Sequence, residues 1–203
     1  MKDYRTASRR TFDRQAAQYD TAAYGRHARA LYPLLLERLA QHSWSHLLDL
    51  GCGTGALLSQ IIARWPQAHY AGLDLSPKMT ETARTALGSR ADIFLGDAQR
   101  LPFDTASFDI VLCNDSFHHY PQPERVLQEV RRVLKKGGLF LLGDATAPAI
   151  IRLPLNLLLP LGQSGDVHLY SAKELKQLLS SVFDAAEIRR VSATSLLAWG
   201  ISA

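Results

Sequence analysis

The chain predicts a single α/β domain: a doubly wound sheet of seven strands, mostly parallel, closed by an antiparallel C-terminal hairpin strand. Three observations predict it. Short apolar runs alternate with amphipathic stretches along most of the 203 residues, as in βαβ units whose strands are covered on both faces. The apolar run at 47–50 passes straight into Gly51, Gly53 and Gly55, at every second position, and a helical stretch follows. The next strand ends in an acidic residue, Asp74, roughly 20 residues beyond the first glycine, which is the spacing of a nucleotide-binding βαβ unit.

Residues 1–40 read as a helical N-terminal arm or lid. Its loose apolar stripe of Phe12, Ala16, Tyr19, Tyr24, Leu31, Leu34 and Leu35 can fold over the crevice at the strand ends. The main domain, 41–203, begins with the strand of Leu47, Leu48 and Leu50. The glycines after it remove side chains that would keep a ligand from the backbone, and the helix over 56–65 points its first amides at the same place. A second strand over 69–73 leads to Asp74; Ser76 then caps a helix with Pro77 at its first position. Further strands fall at 91–95, 108–113 and 139–143. Before the last of these, Val126, Leu127, Val130, Val133 and Leu134 mark a helix over 124–134, with Gly137 and Gly138 as its stop. Ser171-Ala172-Lys173-Glu174 is a capping box that opens a helix to about 182. The runs at 185–191 and 195–201 are too close for a helical crossover, so they pair antiparallel. Residues 145–170 break the alternation. Their apolar core, 150–161, contains Pro154 and Pro160 and cannot form one long regular helix. It reads as a substrate lid or wall, a membrane-touching patch, a dimer surface, or plain core cover.

Composition is that of a globular protein, 47% hydrophobic and 21% charged. No apolar run approaches the roughly 20 residues of a membrane span, and the N-terminus lacks the pattern of a signal peptide, so a cytoplasmic location is expected. Cys52 and Cys113, in the glycine turn and at a strand end, are expected to be reduced thiols near the cofactor. They do not by themselves make a metal site, and none is expected. Residues 1–29 hold seven basic and three acidic side chains and so carry the whole net charge of +4. A solvated helical face and an anion-binding arm both fit this. No second basic cluster extends it into a nucleic-acid track, so nucleic acid is not an expected partner.

A carboxylate at Asp74 can accept both hydroxyls of a ribose. On that ground alone a nicotinamide-dependent oxidoreductase and a non-catalytic cofactor-binding protein stand beside other adenosine-cofactor enzymes. The third glycine of the usual dinucleotide pattern would fall at Ala56. Five ordered motifs decide further: D-L-G-C-G-T-G at 49–55, G-L-D-L-S-P-K-M at 72–79, G-D-A-Q-R-L-P-F at 96–103, S-F-D-I-V at 107–111 and R-V-L-K-K-G-G at 132–138. With them the chain resembles the class I S-adenosylmethionine-dependent methyltransferases of Rossmann-like fold. Within these it is most similar to the ubiquinone/menaquinone-biosynthesis-like group, methyltransferase type 11.

The resemblance implies S-adenosylmethionine as cofactor, S-adenosylhomocysteine as product and a small-molecule methyl acceptor. It places the methionine portion at Gly51, Cys52 and Gly53, the ribose on Asp74, and the adenine between Leu75 and Met79 with its edge on Asp97 and Ala98. Asn114 approaches the methionine part, Asp49 orders the turn and the amino group, and Tyr19, in A-x-x-Y-D at 16–20, closes over the cofactor. Two departures are visible. Lys136 stands where the family often has proline, which should alter only a turn. Asn114-Asp115-Ser116-Phe117 lacks the two prolines of the N-P-P-Y found in base- and glutamine-methylating relatives. A general base, where one is used, is expected at His119 or His118, because imidazole titrates near neutral pH and only one of the pair can easily face the pocket. Asp115, Tyr120 and Tyr24 are candidates for orienting the acceptor. Alignment without a base is the other possibility. The apolar insertion points to an acceptor with a hydrophobic portion or to a homodimer.

Overall fold

The computed structural model describes residues 3–159, 162 and 165–202. Its strands are β1 (His46–Leu50), β2 (His69–Asp74), β3 (Asp92–Leu95), β4 (Phe108–Asn114), β5 (Leu134–Ala145), β6 (Ala185–Arg190) and β7 (Ser195–Ile201). They form one sheet in the order β3-β2-β1-β4-β5-β7-β6. Strand β7 lies antiparallel to both β5 and β6, so the closing hairpin forms and its second strand, not its first, docks beside β5. The helices are α1 (Tyr4–Gln15), α2 (Arg26–Leu39), α3 (Ala56–Arg64), α4 (Pro77–Leu87), α5 (Pro123–Val133), α6 (Ala149–Leu158) and α7 (Ala172–Ser180).

Period-two alternation divides the sheet's side chains between two cores. Leu47, Ile110, Leu112, Leu139 and Leu141 pack with α2, α3 and α4 on one face. Leu48, Val111, Cys113, Phe140 and Leu142 pack with α5 and α7 on the other.

Three expectations change. Helix α2, which the sequence groups with the arm, is part of the core: Leu31, Leu35, Leu36 and Leu39 are fully buried against the sheet. The covering arm is therefore α1 and the turns up to Gly25. Gly137 and Gly138 do not stop α5. The backbone is already extended at Leu134, and the glycines sit in an irregularity of β5, where the register to β4 jumps between Phe108 and Ile110. Gly137 takes φ +76°, and a Cβ on Gly138 would lie 2.8 Å from the Lys135 carbonyl oxygen. Finally, Pro154 is absorbed inside α6. The carbonyl it leaves without a helical donor belongs to Ile150, in an exposed first turn that water can serve. Pro160 and Leu161 lie outside the described residues.

Asp109 on β4 ties the start of β1 to β5. Its Oδ2 accepts from the Ser45 and His46 amides at 3.0 and 2.9 Å and from the Ser45 hydroxyl, and its Oδ1 accepts from Lys135 Nζ at 2.8 Å. Partial burial works against its charge, but Lys135 and these N–H donors outweigh it and hold the carboxyl well below the usual carboxylate range. A depressed pKa stabilises the fold above the unfolded value and loses that contribution as pH falls. Asp109→Ala should therefore lower stability by about 1–3 kcal/mol at pH 7, with the difference from wild type shrinking on acidification below about pH 4. Urea melts at pH 7 and pH 3.5 check both parts; an unchanged midpoint at pH 7 refutes the first.

Candidate functional site

The strand order reverses between β1 and β4, so the chain leaves these strands in opposite directions and a crevice opens at their carboxyl ends. The turn after β1 is bound to β2: Gly51 N and Cys52 N both donate to the Leu73 carbonyl, at 2.8 and 3.1 Å. Asp74, at the end of β2, accepts from Gly53 N through Oδ2 at 2.9 Å and from Ser76 N through Oδ1 at 2.8 Å. Ordering the turn, expected of Asp49, thus falls to Asp74 among the described residues. The glycines also have different reasons. A Cβ on Gly51 would meet Ser116 Oγ at 2.2 Å and one on Gly55 would meet Leu87 at 2.9 Å, whereas a Cβ on Gly53 would have nothing within 4 Å. Only Gly53 keeps open space beside the cavity.

Tyr19, Asp49, Gly51, Cys52, Gly53, Asp74, Leu75, Met79, Asp97, Ala98, Asn114 and His119 all border this one cavity. Of the other residues expected near it, Asp115 and Tyr120 border it, and His118, Tyr24 and Cys113 do not. Asp49 is 2% exposed, and no hydrogen bond to its carboxylate is found among the described residues. Burial, reinforced by the nearby Asp74, pushes its pKa up to about 7. Asn114 donates Nδ2–H to the Ala28 carbonyl at 3.2 Å, while its buried Oδ1 has no partner among the described residues. Cys52 and Cys113 are buried free thiols whose pKa values burial pushes far up, which keeps them protonated and inert.

The arm closes over the cavity through polar contacts at the ligand-facing side chains themselves. Arg5 Nη1 donates to Asp97 Oδ2 at 3.1 Å. Asp13 Oδ1 accepts from Ser76 Oγ at 2.6 Å, and Asp20 Oδ1 accepts from Thr54 Oγ1 at 2.7 Å. Phe12 and Tyr19 meet edge-on, with ring centres 6.1 Å apart, and Phe12 also abuts His119 at 5.0 Å. Burial raises the Tyr19 pKa, so its hydroxyl stays protonated. Sequence reading missed Arg5, Asp13 and Thr54; no local pattern announces contacts between residues 34 to 92 positions apart.

The chain after β4 turns sharply. Asp115 takes φ +53°, unusual for a side chain other than glycine, and its Oδ1 lies 2.7 Å from His27 Nδ1. His118 points away from the cavity, with Nδ1 2.6 Å from Asp144 Oδ1. Burial opposes its charge, but Asp144 prevails and raises its pKa, so His118 already holds the proton that a base would have to accept. His119 is the histidine at the cavity wall; burial and the neighbouring His118 lower its pKa and keep it neutral. Of the readings open for the insertion, the substrate lid or wall is the one its described residues do not take. None of the described residues of 145–170 borders the cavity, and Ile150, Leu153 and Leu157 of α6 face outward, 84%, 60% and 77% exposed. The segment after α6 instead buttresses the histidine turn and the arm: Val167 N donates to the His118 carbonyl at 2.9 Å, and Gly165 lies against the Ser8 backbone.

Residues 48–142 match the family model described as "Methyltransferase domain". The chain is 34% identical over 149 residues to a malonyl-acyl-carrier-protein O-methyltransferase of Geobacter sulfurreducens, covering 68% of this chain and 54% of that one. It is 32% identical over 143 residues to a demethylmenaquinone methyltransferase of Thermotoga maritima, covering 68% and 62%. The chain thus spans little more than half the length of these curated relatives. Among solved structures it is similar in fold to Haemonchus contortus phospholethanolamine N-methyltransferase 2, solved in complex with phosphomonomethylethanolamine and S-adenosylhomocysteine. The TM-score is 0.73 at 15% identity, covering 85% of this chain and 52% of that one. No helix among the described residues is long and apolar enough to cross a membrane.

Proposed function

We propose, from the premise that residues 48–142 form a methyltransferase domain, that this protein transfers a methyl group from S-adenosylmethionine to a small-molecule acceptor. The observation that carries the reading is Asp49, a buried carboxylate with no hydrogen-bond partner among the described residues, at the wall of the same cavity as Asn114 Oδ1, likewise without a partner among them, and the open space at Gly53. Such groups await a cationic, hydrogen-bonding ligand, and the α-amino group of a methionine fits them. Bound there, S-adenosylmethionine would supply an activated methyl and its own leaving group, S-adenosylhomocysteine.

The chain's residues then hold and orient. Asp74 keeps a free lone pair on each oxygen for a ribose hydroxyl, and its two backbone bonds fix the direction of both. Asp49 and Asn114 take the amino-acid end beside Gly51 and Cys52; Leu75 and Met79 give the adenine apolar walls, with Asp97 and Ala98 at its edge. Phe12 and Tyr19 exclude water from the side the arm covers. His119 takes the acceptor's proton where one must leave; His118, already protonated, does not. An acceptor with a hydrophobic portion is supported by the demethylmenaquinone relative. A cytoplasmic homodimer belongs to the same reading, supported by the free thiols and the outward apolar face of α6.

Calorimetry of the purified chain with S-adenosylmethionine, S-adenosylhomocysteine and NAD should show binding of the first two and none of the dinucleotide. A chain that does not bind the sulfonium cofactor sinks the reading. His119→Gln, assayed in single turnovers from pH 6 to 9 with an acceptor identified by its gain of a methyl mass, should slow transfer by about 10- to 100-fold. An unchanged rate across that range removes the base and leaves catalysis by alignment.

A further inference from the structure

Along the sequence the adjacent pair His118 and His119 has no metal-ligand spacing to a third group, but folding adds a carboxylate to it. Asp166, from the segment after α6, brings Oδ1 to 3.2 Å from His119 Nδ1 and 3.6 Å from His118 Nε2. All three potential ligand atoms lie within 4.8 Å of one another. Around a tetrahedral zinc ion with bonds of about 2.0–2.1 Å, ligand atoms sit about 3.4 Å apart, so the cluster is already close to a coordination shell.

Three further observations point to a ligand. His119 Nδ1 is buried and, despite the nearness of Asp166, has no hydrogen-bond partner among the described residues. His118 Nδ1 is occupied by Asp144, itself 3% exposed, which leaves Nε2 as the nitrogen turned towards Asp166. A carboxylate on the far ring nitrogen is the arrangement that fixes the tautomer and direction of a metal-binding imidazole. The two halves are also fastened together, since Val167 N and His168 N both donate to the His118 carbonyl.

We propose that His118 Nε2, His119 Nδ1 and Asp166 bind one divalent transition-metal ion, which displaces the Nε2 proton of His118 to solvent, with Asp144 as the positioning residue behind His118. Two imidazoles and one carboxylate suit zinc, cobalt, nickel or ferrous iron; magnesium and calcium prefer sets made of oxygen alone. His119 also borders the cavity, so the ion lies beside the proposed acceptor space; with the ion on Nδ1, the ring keeps its proton on Nε2 and His119 orients the acceptor instead of taking its proton. The inference does not depend on methyl transfer, and its test uses no turnover.

The full chain, stripped with chelator and dialysed, is titrated with Co2+ and followed by visible absorption. One equivalent should give the intense bands of a four- or five-coordinate ion, which Zn2+ abolishes by displacement. His119→Gln, Asp166→Asn and Asp144→Asn should each weaken Co2+ binding by about 10- to 100-fold. Circular dichroism of the metal-free variants separates ligand loss from misfolding. Should a variant not fold, the wild-type titration decides alone: intense bands at one equivalent support the site, and their absence, or a weak octahedral spectrum, overturns it. Equal affinity in wild type and in folded His119→Gln and Asp166→Asn also overturns it.

Discussion

Asparagine at position 49 is expected to make the cofactor-free protein more stable at pH 8 while weakening its binding of S-adenosylmethionine about 10- to 100-fold. Both effects have one origin, a carboxylate buried with no hydrogen-bond partner among the described residues. Its pKa of about 7 lies well above the roughly 3.9 of an unfolded aspartate, so the folded chain binds the proton more tightly than the unfolded one. Linkage then gives the sign: the stabilising contribution is complete below about pH 4 and is lost as pH rises through about 7. At pH 8 the wild type carries the full penalty of a buried charge, and Asp49→Asn should recover about 1–3 kcal/mol of it, or several degrees in Tm. Between pH 4 and 7 the wild-type Tm should fall relative to that of the variant. The same charge is what an ammonium group would pair with, so binding worsens as stability improves. Thermal melts from pH 4 to 8 and calorimetry at pH 8 check the two halves. A variant that binds as well as wild type would remove Asp49 from the site, and parallel pH profiles would remove the perturbed carboxyl.

Asp74→Ala is expected to reduce cofactor affinity by about 1,000-fold and to lower stability by about 3 kcal/mol. Two backbone amides, Gly53 N and Ser76 N, lose a charged acceptor, and in the proposed complex the ribose hydroxyls lose theirs. The glycine turn and the first turn of α4 should loosen together, because one carboxylate spans them. Asp74→Asn is no mild substitute: an amide offers one oxygen where two N–H groups converge, and its NH2 would face a donor. The structural part is read from hydrogen exchange at Gly53 and Ser76, the binding part from calorimetry. Slow exchange at both amides with affinity lost would confine Asp74 to the ligand; fast exchange with affinity kept would confine it to the turn.

Legibility in the sequence follows locality. The glycine turn, the acidic strand end, the Ser76 cap and the capping box at Ser171 are written within a few residues, and each appears where its local chemistry demands. The closing hairpin was legible because a short connection permits nothing else, yet the docking of β7 beside β5 depends on the whole sheet. Apolar periodicity is the same for a lid helix and a core helix, so it does not separate α2 from the arm; burial against the sheet does. Gly137 and Gly138 suit a helix stop as well as a strand irregularity, and only the register with β4 separates the two. At the site, the cavity-facing residues on strand ends were foreseen together. The contacts from Arg5 to Asp97 and from His118 to Asp144 and Asp166 were not, because they join segments that only the closed fold makes neighbours.

The contact between Arg5 and Asp97 has a kinetic side. Arg5 is 54% exposed and Asp97 29%, so the pair sits where dissolved ions reach it, and the attraction between such charges weakens as ionic strength rises. A ligand held beneath the arm is released more readily when that pair is loosened, because the pair fastens α1 to the cavity rim. Residence time should therefore shorten in concentrated salt even where the buried contacts are unchanged, and Arg5→Gln should make it insensitive to salt.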